Sequence, residues 1–197
     1  MIVHELVGGH ESDPAYRKLD TENRARQLDF LKSLVNVAIQ VQTRFLSQTV
    51  IKALNFHAIG CLHAYAGQYR PADVRVGEYV PPQHFRVASL MDDMVNRVNR
   101  HWTEADPLRM ATYVLWRTNW IHPFVNGNGR TARAASYFVV CLHAGFWIGG
   151  DPVFPDRLKG HPEYIPVLRT ADRTGDLLPL EMLIGRLLIE QTGRPSE

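Results

Sequence analysis

The segment Ile121-His122-Pro123-Phe124-Val125-Asn126-Gly127-Asn128-Gly129-Arg130-Thr131-Ala132-Arg133 brings an imidazole, a glycine-flanked turn and two guanidinium groups into one short stretch between two helical patterns. Glycines on either side of Asn128 let the backbone bend until consecutive N–H groups converge. The helix that starts near Gly129 adds its own unpaired donors and the positive end of its dipole. Such a turn is an anion site, most naturally a phosphate site. Arg130 and Arg133 stand i, i+3 in the first turn of that helix, so both project from one side near the loop. Cations there oppose the dipole by roughly a few tenths of a kcal/mol or more, a cost that disappears when an anion is bound. Either arginine alone reads equally well as a surface residue paired elsewhere. The pair beside the glycine turn favours an anion. His122 precedes Pro123, which predicts an extended backbone just outside a helix ending near Trp120. A neutral imidazole in that position can take a proton from an attacking hydroxyl, because histidine titrates near the working pH. Phe124 reads as a core anchor that pins the loop.

The elements that must position these groups are helical. Leu28, Leu31, Val35, Ala38 and Phe45 recur at helical spacing after Thr21-Glu22, predicting a long first helix over about 21–47. A second is expected from about Thr49 to Ala66, with Gly67 at its end. Val74-Arg75-Val76-Gly77-Glu78-Tyr79-Val80 breaks the helical period, and Gly77-Glu78 between two short alternating runs fits a two-residue hairpin turn closed off by Pro81-Pro82. Val87, Met91, Met94 and Val98 line a third helix. Asp106-Pro107 reads as an N-cap and first-turn proline opening a fourth, which ends at the motif. A fifth runs from near Gly129 to Gly145, and a last one covers about 179–192. The fold class expected is all-α with one short hairpin.

Composition narrows the function. The 197 residues are 45% apolar, enough for one sizeable core, and carry no repeat or linker, so one domain over 1–197 is expected, with a core at about 54–183. Lys and Arg number 22 against 20 Asp and Glu, too balanced for the phosphate-backbone attraction that dominates nucleic-acid binding. Cys61 and Cys141 fall in apolar helix-like stretches, where an unpaired cysteine behaves as a small buried hydrophobe, which suggests a reducing, cytoplasmic setting. Neither a signal-like N-terminus nor an uncharged apolar run of ~18 residues is present, so no membrane association is expected.

The motif from His122 to Arg133 resembles the signature of the Fic family, His-Pro-Phe-x-(Asp/Glu)-Gly-Asn-Gly-Arg-x-x-Arg, in every specified place but one. The segments His57-Ala-Ile-Gly-Cys-Leu-His63, Gly67-Gln-Tyr-Arg70, the Val74–Pro82 stretch, Asp106-Pro-Leu108 and Tyr164-Ile-Pro-Val-Leu168 with Gly175-Asp176 are similar to that family's flanking elements, in its order. The resemblance implies a Fic-type helical bundle with a hairpin flap and a protein adenylyltransferase activity. AMP would pass from ATP to a Ser, Thr or Tyr hydroxyl of a target protein, with release of pyrophosphate. It makes His122 the general base. Gly127, Asn128 and Gly129 would hold the inner phosphates, Arg130 and Arg133 the outer ones, and Val74 to Val80 the target segment by edge pairing.

The departure is Asn126, where the family carries a carboxylate for Mg²⁺. An amide oxygen is a weaker ligand for a hard cation, so Mg²⁺ or Mn²⁺ is expected to be held mainly by ATP. A second reading is therefore a nucleotide-binding regulatory module with weakened catalysis. A third is a Fic-fold transferase of another donor, against which Gly129 speaks, since phosphate-transferring relatives typically carry lysine there. Family inhibitory helices place Ser or Thr four residues before Glu-Gly or Glu-Asn. Here Glu22-Asn23 is preceded at that distance by Lys18, which argues against internal inhibition, and the resemblance leaves a separate small inhibitor protein, as some relatives use, as the alternative.

Overall fold

The computed structural model describes residues 11–193. Asp13 opens the first helix by accepting the Ala15 amide at 2.7 Å, and Pro14 follows where a missing N–H costs nothing. Helix α1 therefore spans Pro14–Gln40, starting earlier than the apolar pattern predicts, and it stops where Gln42 takes a φ of 56°. Phe45, expected on this helix, lies beyond it and is exposed. Ser47 caps α2 (Gln48–Ile59), which ends at Gly60 rather than Ala66. A side chain at Gly60 would lie 2.8 Å from the Phe56 carbonyl oxygen, and Cys61 turns out of the helix with a φ of 63°. This turn leaves Cys61 exposed, against expectation, while Cys141 is buried.

A short 3-10 turn (His84–Arg86) leads into α3 (Val87–Arg100), and α4 (Pro107–Ile121) starts as expected, with Asp106 accepting the Arg109 amide at 2.9 Å. Then come α5 (Asn128–Ala144), α6 (Phe154–Gly160), α7 (Tyr164–Thr174) and α8 (Leu178–Thr192). Neither α6 nor α7 is expected from periodicity. The bundle is all-α. The flap keeps the expected turn but not its strands: Val76 and Tyr79 exchange N–H···O bonds of 2.9 and 3.0 Å around Gly77, whose φ is 61°. Pro81 and Pro82 have no N–H with which to continue a ladder.

Helix α5 is the centre. Every residue from Thr131 to Val139 is buried, and α1, α2, α4 and α6 all pack on it. Small residues (Thr131, Ala132, Ala134, Ala135, Ser136) let these neighbours approach on several sides, so the helix that begins at the glycine turn is buried all round.

Candidate active site

The loop between α4 and α5 is closed by its own side chains. Asn128 accepts the Phe124 amide and donates to the Phe124 carbonyl, both at 2.8 Å, and is 3% exposed. Its side chain is thus spent on shaping the loop, leaving only its backbone for an anion. Phe124 is fully buried, as an anchor should be. Gly127 has a φ of 73°, and a Cβ there would sit 2.8 Å from Ile59 Cγ2. Asn55 of α2 ties the assembly together. Its amide donates to the Asn126 carbonyl at 3.0 Å and to Thr131 Oγ1 at 3.2 Å, and it accepts the Gly67 amide at 3.0 Å. Asn55 escaped the sequence reading, although a fully buried amide between Ile51 and Ile59, each four residues away, is the signal that marks it.

His122 is not extended. It caps α4 in the left-handed region, φ 51° and ψ 58°, with its amide bonded to the Thr118 carbonyl at 3.0 Å. Arg70 overrides the pre-proline bias: its Nε donates to the His122 carbonyl at 2.9 Å, and its amide donates to the Pro123 carbonyl at 2.8 Å. The same guanidinium donates to Ala72 at 2.9 Å and to the Pro82 carbonyl, at the two ends of the flap. Burial pushes the His122 imidazole down to about 4, with Arg70 adding to the effect, while a bond to the Asn119 carbonyl opposes it. The ring is therefore neutral at physiological pH, with the Asn119 backbone as its hydrogen-bond partner. Tyr79 fixes the flap turn to α4 by donating to the Trp120 carbonyl at 2.6 Å. Val74 through Val80 thus lies beside the histidine end of α4, and all of it except Val74 and Tyr79 is exposed or nearly so.

The two arginines go to different neighbours but line one cleft. Arg130 donates to the Ala58 carbonyl at 2.7 Å and to Asp20 of α1 at 2.6 Å. Burial would raise the Asp20 carboxyl, but Arg130 and then Arg24 outweigh it and hold the group below the usual carboxylate range. Glu22 is exposed, so the α1 carboxylate that meets a motif arginine is Asp20. Arg133 is 8% exposed, packed against Tyr164 of α7, with Nη1 3.3 Å from where a Gly129 side chain would stand. The absence of a side chain at Gly129 is what admits this guanidinium beneath the turn. Asn126 spends both ends of its amide, accepting the Gly127 amide at 2.6 Å and donating to Glu11 at 3.2 Å. Among the described residues no group of three or more His, Cys, Asp or Glu could hold a metal ion. This donor set does not fit a divalent cation gripped by the protein, which calls for charged oxygens.

An all-α bundle whose central helix begins at a glycine turn, with two arginines in its first turn and a histidine across the loop, defines a helical domain that gathers basic groups around one loop. The chain matches the model of the Fic/DOC family over residues 45–140, just under half of its length. It is 29% identical over 170 residues to a protein adenylyltransferase Fic of Drosophila persimilis, covering 85% of this chain and 32% of that protein. With the protein adenylyltransferase fic-1 of Caenorhabditis briggsae it shares 32% identity over 122 residues, 61% of this chain and 23% of the relative. The fold superposes on Fic-1 from C. elegans with a TM-score of 0.72 at 22% identity, over 96% of this chain and 54% of that one. The chain thus spans about a third or less of the length of these curated relatives. No helix among the described residues is long and apolar enough to cross a membrane.

Proposed function

We propose that this chain is a protein adenylyltransferase that moves AMP from ATP onto a Ser, Thr or Tyr hydroxyl of a target protein. The observation that carries the reading is His122, kept neutral by burial at the mouth of a glycine turn whose helix presents Arg130 and Arg133. The activity for which the similar adenylyltransferases are named supports it. In the step proposed, the hydroxyl oxygen bonds to the α-phosphorus as the bond from that phosphorus to the bridging oxygen breaks, and pyrophosphate leaves. The hydroxyl proton passes to the His122 nitrogen not bonded to Asn119. Backbone N–H groups of Gly127 to Gly129 and the positive end of α5 stabilise the charge that develops on the phosphates. Any Mg²⁺ or Mn²⁺ is carried by the triphosphate, supplying charge neutralisation there. The target segment lies along Val74 to Val80. The same reading takes residues 1–197 as a single domain in a cytoplasmic setting, regulated by a separate small protein.

The Arg130–Asp20 pair favours a second reading, a nucleotide-binding module with little turnover, because that guanidinium is already neutralised in the unliganded chain. Incubating wild type and His122→Ala with a cell lysate, a divalent cation and ATP labelled at either the α- or the γ-phosphate separates these readings. Protein-bound α-label without γ-label, absent in the variant, is the expected result. Transfer of γ-label would make it a phosphotransferase, and binding without any transfer would leave the regulatory module.

A further inference from the structure

The cleft that Arg130 and Arg133 line extends well past the signature. It lies between α1, α5 and α6, has a volume of about 210 Å³, and is also lined by Arg24 of α1 and by Lys159 and Asp156 of α6. That is several times the ~30 Å³ share of a water molecule in the liquid. Four cationic side chains face a single carboxylate on its walls, and Asp20 behind them bridges Arg24 and Arg130. Like charges gathered in a half-enclosed space repel one another unless an anion joins them. Arg133 supplies the independent sign: it is 8% exposed, yet its Nε–H has no acceptor. A buried guanidinium donor left unmade is costly, and such groups are normally satisfied.

We propose that this cleft is a phosphate site in which Lys159 and Arg24, outside the signature, join Arg133 in gripping a phosphate or diphosphate group. Burial first, and then Arg24, Arg133 and Arg130, lower the proton affinity of the Lys159 ammonium, which an incoming anion would restore. The anion has two sources of the same chemistry: the terminal phosphates of a bound nucleoside triphosphate, or free pyrophosphate. The first source rests on the adenylyltransferase reading and the second does not.

Calorimetric titration of the whole chain with pyrophosphate, ATP and AMP tests the site without requiring turnover. Lys159 is exposed on a short surface helix, so Lys159→Met leaves the core untouched. Pyrophosphate affinity should fall about tenfold in that variant, the loss of one charge-assisted contact, and recover in Lys159→Arg. AMP affinity should not change. An equal fall for ATP assigns the cleft to the triphosphate tail. An unchanged ATP affinity, with both ligands bound together, assigns it to free pyrophosphate. Pyrophosphate binding that is absent, or indifferent to residue 159, overturns the proposal. Label transfer measured on the same preparation reports separately on the adenylyltransferase reading.

Discussion

His122 carries two departures from an ordinary histidine, a left-handed backbone and an imidazole pushed down to about 4. The left-handed region costs a β-carbon-bearing residue about 1 kcal/mol or more, and such strain marks a position held for a purpose. Because the folded ring resists protonation, the acid limb of the transfer rate should fall near pH 4 rather than near 6.5, read from single-turnover rates against pH. The stability consequence has a definite sign. Above pH 6.5 the ring is neutral in both states and contributes nothing. As pH falls from 6.5 to 4 the unfolded chain takes up a proton that the folded one refuses, so stability declines, by up to roughly 3 kcal/mol. Over that range wild type should lose stability relative to His122→Gln as pH falls, as urea melts would show. Gly127 makes a second test, since its φ is 73° and a methyl group would strike Ile59 and Asn55. Gly127→Ala should lower unfolding free energy by about 2 kcal/mol or more in denaturant melts. At this scale the letters of the loop revealed the glycine turn. They did not reveal that Asn128 would be spent on Phe124, nor that Arg130 would meet a carboxylate on α1, because neither partner follows from local spacing.

Between elements, Arg70 is the joint. One buried guanidinium fastens the His122 carbonyl to both ends of the flap, so the flap is anchored by a side chain where a strand ladder would ordinarily serve. Arg70→Lys keeps the charge but cannot reproduce a planar fork of donors. It should cost about 3 kcal/mol in thermal or urea melts and lower the transfer rate of the fraction that stays folded. Sequence periodicity found α3, α4, α5 and α8 because each presents several turns of apolar spacing. It passed over α6 and α7, which span Phe154–Gly160 and Tyr164–Thr174 and contain Pro155 and Pro166 in their first turns, where proline is tolerated but reads locally as a breaker. Lys159 was lost with them, while Tyr164 entered only within a segment that resembles a family element. The hairpin was over-read for the converse reason: alternation around Gly77-Glu78 signals a turn, and the two prolines after it withhold the bonds that would make strands.

Across the whole molecule, burial of α5 on all sides ties the site to global folding. Its Cys141 thiol is buried and pushed up to about 11, chiefly by desolvation, whereas Cys61 is exposed. A thiol reagent at neutral pH should therefore modify one cysteine quickly in the native state and the second only at the rate of unfolding, as mass spectrometry of timed samples would show. The all-α class was legible from composition and period, yet the junction of α1 with the rest was not, because half of it is polar. The C-terminal half of α1 buries Leu31, Val35 and Ala38, but its N-terminal half, apart from Tyr16 against His63, docks through Asn23 to the Gly60 carbonyl, Gln27 to the Leu54 carbonyl, and Asp20 to Arg130. Water can replace amide and carboxylate contacts at little cost, and it cannot replace apolar ones. The first turns of α1 should then peel away as a unit while the remainder stays folded. Amides of residues 17–27 would exchange with deuterium through an opening of lower free energy than those of α5, and each such opening would release Arg130 from its carboxylate.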